Sequence, residues 1–291
     1  MQDREPTIRS RELGEGLRKA MERAGLTGKQ VADKLGLSPS WISRLLAGKR
    51  KATAVQVTGL LAMCRVTGAE RDRLLELCED QHNLGWLQRH GSPLPQQLVT
   101  LIDHESKAVA ISGFQALVLP DLLRTGDYAH ALLSRSSTIP TDEVDGLVAA
   151  GLARQSLLSR ERPADFTFYV HEFALRLPVG GAAVMPEQLQ HLLRMSVRRY
   201  LTLRVVPVVL GAHAAMTGAF TLLEFADFRP VVYLESEASS LFLETPVEVD
   251  AYQRVLEALA KTALSEEESR ELIAALATEL SADRENPDDR A

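Results

Sequence analysis

The residues that could do covalent chemistry are few, and their spacing does not assemble them. His171-Glu172 opens a His-Glu-x-x-His pattern, in which two imidazoles one helical turn apart hold zinc while the glutamate acts as base, but Leu175 stands in the second histidine's place. His213 follows Gly211 and reads as a polar turn residue or a ligand contact. His82 and His90 have no cysteine or carboxylate at metal-ligand spacing. Cys64 and Cys78 are the only cysteines, and on expected helices they read as reduced core residues. There is no Gly-Lys-Ser/Thr phosphate loop and no Gly-x-Ser-x-Gly elbow. Arg154, Gln155 and Glu172 interrupt otherwise patterned segments, as residues of a pocket or of a buried polar network would. The expectation is a non-enzyme with no catalytic residue, no cofactor and no metal.

Charge points elsewhere. The chain of 291 residues carries a net −6, which alone argues against nucleic acid. Residues 1–66, however, hold 13 Lys and Arg against 6 Asp and Glu, so the acidic excess belongs to the rest. A basic head on an acidic body is the asymmetry of a protein that meets phosphate with one region and repels it with the other. Lys49-Arg50-Lys51 is the densest cationic run in that head. Apolar content of 45% and charged content of 25% are those of an ordinary globular chain. No run of about 18 apolar residues suggests a membrane span, and the polar N-terminus shows no signal peptide, so a cytoplasmic location is expected.

The elements that position the basic run are legible locally. Leu13, Leu17 and Ala20 or Met21 mark a helix over about 9–24 that ends at Gly25. Thr27 with Gln30 forms a capping box for a short helix over 28–35. Gly36 supplies the positive φ of a tight turn, Leu37 fills the angle between helices, and Ser38 caps a third helix with Pro39 in its first position. That helix, about 39–47, directs Ile42, Leu45 and Leu46 inward and Ser40, Ser43 and Arg44 outward. Two further helices are expected over 53–65 and 69–80.

Together, Val31-Ala32-Asp33-Lys34-Leu35-Gly36-Leu37-Ser38, Trp41-Ile42-Ser43-Arg44-Leu45 and Gly48-Lys49-Arg50 resemble the phage-repressor (XRE-like) helix-turn-helix regulators. The resemblance implies that the third helix enters the major groove of double-stranded DNA. Carried over, Ser40, Ser43 and Arg44 read base edges, an arginine being able to hold guanine bidentately. Thr27, Gly28, Trp41, Lys49, Arg50 and Lys51 are then the phosphate contacts. Gly28 stands where relatives often have a phosphate-binding glutamine, so that contact is either missing or made by backbone N–H, and Pro39 stands where relatives often have a polar base reader.

Beyond the head, 81–96 reads as a linker rich in Gly and Pro, 97–281 as one domain, and 282–291 as a disordered charged tail. Helical spacing covers 96–111 and 125–160. Strand-like runs follow at 166–170, 203–206, 220–225 and 231–234, with helices over 186–200, 249–264 and 266–280. The expected fold class is α+β: a five-helix, all-α helix-turn-helix head over 1–80, then a mixed α+β body with a small sheet flanked by helices. Leu119-Pro120-Asp121-Leu122-Leu123-Arg124-Thr125-Gly126, Ala153-Arg154-Gln155 and Val232-Tyr233-Leu234-Glu235, among others, resemble long actinobacterial regulators whose body has no assigned chemistry. Some of these look like the antitoxin-like member of a pair, which implies a small protein partner from an adjacent gene. A homodimer through Val255, Leu256, Leu259, Leu272, Ile273, Leu276 and Leu280 is also expected. The alternatives are an interaction module with a degenerate head and a ligand-sensing repressor.

Overall fold

The computed structural model describes residues 5–79, 86–89, 96–237 and 239–285. The chain divides into two compact units. The first holds residues 1–87 with two short returning segments, 227–229 and 241–246; the second holds the remainder.

The first unit is built on α1 (Ile8–Arg23), α2 (Gly28–Leu35), α3 (Pro39–Leu46), α4 (Ala54–Met63) and α5 (Gly68–Glu79). Side chains of Thr7, Thr27, Ser38 and Thr53 accept an amide from the first turn of α1 to α4 respectively, satisfying donors that a helix start leaves unpaired. Both threonine-glutamine pairs, Thr27–Gln30 and Thr53–Gln56, form reciprocal boxes. Leu13, Leu17, Val31, Ile42, Leu45, Val57, Leu60 and Leu74 make one apolar core. Cys78 is buried in that core and Cys64 is half-buried; neither is in a disulfide. Within the same unit, the Ile8 amide donates to the Glu244 carboxylate at 2.9 Å and the Arg11 guanidinium lies over the Phe228 ring.

After β1 (Trp86–Arg89), which has residues in both units, come α6 (Gln96–Lys107), β2 (Ala110–Gln115), α7 (Gly126–Leu133), α8 (Val144–Arg154), β3 (Asp165–His171), α9 (Glu172–Arg176) and α10 (Met185–Ser196) of the second unit. Then come β4 (Leu201–Val206), β5 (Phe220–Glu224), β6 (Val231–Ser236), β7 (Ser239–Leu243), likewise divided, α11 (Pro246–Thr262) and α12 (Glu266–Glu285). The sheet order is β1-β7-β6-β5-β2-β3-β4. β2, β3 and β4 run parallel, while β5 lies antiparallel to both β2 and β6. The fold class is therefore the expected one, a five-helix head and a mixed α+β body, with more strands than the sequence marked.

Three segments differ from expectation. The helix expected to reach residue 111 stops at Lys107, and Ala110–Gln115 becomes an interior strand between β3 and β5. Lined on both sides, such a strand needs no clean alternation, so Ile111 and Phe114 read as helix-compatible. β1 falls in the segment read as linker, and β7 in a stretch for which no element was expected. The last helix runs on to Glu285, into the stretch expected to be disordered; the rest of that tail, like His82 and His90, lies outside the described residues.

The C-terminal helices cover their own sheet. β4 ends the strand order, and its Val205 amide donates to Ser269 Oγ at 2.9 Å while its carbonyl accepts from Leu264 N–H. A sheet edge is thereby closed instead of being left as a template for pairing. Arg204 donates to the Leu264, Ala260 and Ala263 carbonyls, 2.7–2.9 Å away, and so caps α11. Leu259, Ile273 and Leu276 are buried inside the unit, whereas Val255, Leu256, Leu272 and Leu280 are half-buried.

Candidate nucleic-acid interface

The turn between α2 and α3 is set by backbone chemistry. Gly36 takes φ 64°, ψ 31°, and the Leu37 amide donates to the Ala32 carbonyl at 2.9 Å, ending α2 with a left-handed cap. Ser38 is extended, and its hydroxyl accepts the Trp41 amide at 3.1 Å, starting α3 one residue later with Pro39 in its first turn. Leu37 is half-buried against the core. Each of these roles matches the sequence reading.

α3 turns Ile42 and Leu45 into the core and leaves Ser38, Pro39, Ser40 and Ser43 exposed. Ser40 Oγ lies 3.4 Å from Ser38 Oγ. Arg44, expected to project outward, is half-buried and already has an interaction partner; Arg50 is likewise half-buried and engaged. Lys49 is half-buried and Lys51 exposed, both just past Gly48, whose φ of 71° ends the helix. Thr27 is exposed, and Gly28 is half-buried with room for a Cβ 3.6 Å from Ile42. Trp41 packs half-buried on the core. The structure thus brings Ser40, Ser43 and Arg44 onto one short helix and Lys49–Lys51 immediately after it.

Three positioning residues carry no visible sequence signal. A Cβ on Gly14 would lie 2.4 Å from the Leu46 carbonyl oxygen, so α1 presses its backbone against the end of α3. Arg18 donates to the same carbonyl at 3.2 Å. Gly16 similarly faces Leu74 of α5, with a Cβ-to-methyl distance of 2.4 Å.

The residues singled out in the body fall into two groups. Arg154 is a buried cation that donates to both Glu105 oxygens, at 2.9 and 2.7 Å, and to Asp121 at 3.2 Å. Desolvation alone would lower its pKa, but Glu105 and then Asp121 outweigh it and hold the guanidinium charged. Gln155 donates to the Arg124 carbonyl, and Arg124 pairs with Asp121 at 2.7 Å. This is the buried-network outcome. Glu172 accepts from the Val208 amide and from Arg176, bracing the turn after β4 against α9. Against the cost of burial, those bonds keep its carboxyl below the ordinary range. His171 and His213 stack on one another with centroids 5.4 Å apart. Among the described residues no group of three or more His, Cys, Asp or Glu is placed to hold a metal, and no helix is long and apolar enough to cross a membrane.

A helix-turn-helix head joined to an α+β body of this kind defines a class, the DNA-binding regulators. The comparison with protein families agrees: a helix-turn-helix domain is matched over residues 12–74. A domain of unknown function, DUF5753, is matched over residues 98–275, and the chain belongs to that family. Comparison with curated proteins and with solved structures gives no match.

Proposed function

We propose that the chain is a sequence-specific transcriptional regulator, not an enzyme, acting on double-stranded DNA in the cytoplasm. The observation that carries this reading is the α2–Gly36–α3 unit, with its exposed Ser38–Ser40 turn and the cationic run directly behind it. Ser40, Ser43 and Arg44 would face base edges, and Thr27, Gly28, Trp41, Lys49, Arg50 and Lys51 would follow the phosphates. One head reads few base pairs, so a homodimer would raise discrimination by making the second contact intramolecular. Val255, Leu256, Leu272 and Leu280 are its candidate contacts, and its operator would be an inverted repeat with half-sites about 34 Å apart. A small protein partner, as in antitoxin-like pairs, would act through the body.

A salt-dependent gel shift on DNA upstream of the protein's own gene tests the reading. Neutralising one of Lys49, Arg50 or Lys51 should weaken binding to all sequences and lower the salt slope by about 1. Arg44→Ala should cost roughly 1–3 kcal/mol and relax one base position. Binding that ignores both changes would remove α3 from the interface.

A further inference from the structure

His171 ends β3, and His213 lies beyond Gly211, whose φ of 67° turns the chain after the 208–210 segment. Their rings stack at 5.4 Å, 30° from parallel, with Phe173 at 4.8 Å from His171 and Phe114 edge-on to His213 at 5.3 Å. Backbone occupies one nitrogen of each ring: the Phe173 amide donates to His171 Nδ1 and the Ala215 amide to His213 Nδ1, both at 3.2 Å. A nitrogen that accepts carries no proton, so the neutral ring keeps its proton on Nε2. Neither Nε2 has a partner among the described residues. Burial holds both imidazoles below their ordinary pKa, and for His171 the neighbouring His213 adds to it, so at neutral pH both are uncharged Nε2–H donors.

That tautomer decides what the pair can accept. A metal would need the Nε2 lone pair, which sends the proton to Nδ1, against a backbone N–H already pointing there. An anion would gain no full positive charge from either neutral ring, and the nearby carboxylate and cation, Glu172 and Arg176, are already paired with each other at 2.7 Å. A neutral oxygen faces neither obstacle. Apolar groups beside the pair are open to water: Phe173 is 49% exposed, and Met216, whose amide donates to the His213 carbonyl, is 66% exposed. Large apolar groups left in water around two donors mark a contact surface. They gather past the carboxyl ends of β3 and β4, the end at which α/β sheets hold ligands.

We propose that His171 and His213 form the polar end of a site for a small, neutral, apolar molecule bearing a carbonyl oxygen, such as a ketone, ester or amide. The oxygen accepts from imidazole Nε2–H, and the apolar body lies against Phe173 and Met216. The site stands on the body's own geometry; only a consequence for DNA binding would rest on the regulator reading.

His171→Phe and His213→Phe keep a ring at each position and remove the donor. Long-range proton–nitrogen NMR on the isotope-labelled full chain reads each tautomer directly, and then its response to benzylacetone or to the near-isosteric anion hydrocinnamate. Both rings should show Nε2–H, and millimolar benzylacetone should shift both. Each variant should bind the ketone about fivefold more weakly or worse, the loss of one hydrogen bond, and the anion should bind less well than the ketone. An Nδ1–H tautomer in either ring, no shift with the ketone, variants that bind like wild type, or preference for the anion would each overturn the site. Because binding is read without DNA, such a failure leaves the gel-shift result untouched, and a failed gel shift leaves the site standing.

Discussion

The two units satisfy their polar groups mostly at different ranges along the chain, although the head also has a distant buried bond, from Ile8 N–H to Glu244. In the head, the helix starts are satisfied three residues away, by Thr7, Thr27, Ser38 and Thr53. In the body the partners are distant: Arg154 with Glu105, Gln188 with Leu123 and Thr125, Ser269 with Val205. A local solution lets short helices form around a small core. A distant one ties α6, α8 and the segment after β2 into one piece, which suits a region whose surface must keep a fixed shape. The contrast predicts that perturbations should stay within the unit where they are made.

The largest separation should come from Arg154→Ala. It strands Glu105, 3% exposed, without its cation, and breaking such a buried pair costs roughly 3–5 kcal/mol. Hydrogen exchange read by peptide should show β2, α6 and α8 opening while α1 to α5 keep their protection. Arg154→Met with Glu105→Leu removes both charges and should recover most of the loss. If the double variant is as unstable as the single one, the pair is not the source of the effect.

The reverse test is Gly14→Ala. The new methyl would press on the Leu46 carbonyl, which is backbone and cannot rotate away, so an overpacking cost of about 1–3 kcal/mol is expected. The head should melt earlier and lose DNA affinity because α3 is displaced, with peptides from the sheet unchanged. Equal loss in both units would mean that the division of the chain has no energetic meaning.

These residues also show what the sequence could reveal. The head was legible because its signals are short-range: Thr27 and Gln30, Gly36, Ser38 and Pro39 each declare a role within three or four positions. Gly14 was not, because its reason is the Leu46 carbonyl, 32 residues on. In the body, β3 to β6 announced themselves by β-branched and aromatic runs, while β2 hid because its neighbours on both sides remove the alternation that marks a half-buried strand. Arg154 was noticed as a polar interruption, but whether it served a pocket or a network depended on Glu105 and Asp121, 49 and 33 positions away. The stacking of His171 on His213 was equally invisible, since a turn 42 residues later brings the second ring back.

The smallest expected effect follows from where the histidines lie. Residues 1–79 contain none, whereas His171, His191 and His213 all belong to the second unit with pKa values lowered by burial first. A histidine whose folded pKa lies below its unfolded value of 6.5 is less protonated in the folded state. Its contribution to stability is therefore complete above that value and is lost as pH falls through the lowered folded values. Protonation would also turn each Nδ1 of His171 and His213 from an acceptor into a donor facing a backbone amide. His191 and His213 are half-buried, so screening keeps their share small, and His171, 8% exposed, carries more of the effect. Urea midpoints measured by hydrogen exchange, unit by unit, should fall for the body as pH drops below the ordinary histidine value of 6.5 and stay level for the head, which has no histidine. His171→Phe should flatten part of that slope. A body midpoint that holds steady across the interval, or a head that falls alongside it, would show that these imidazoles do not set the acid sensitivity.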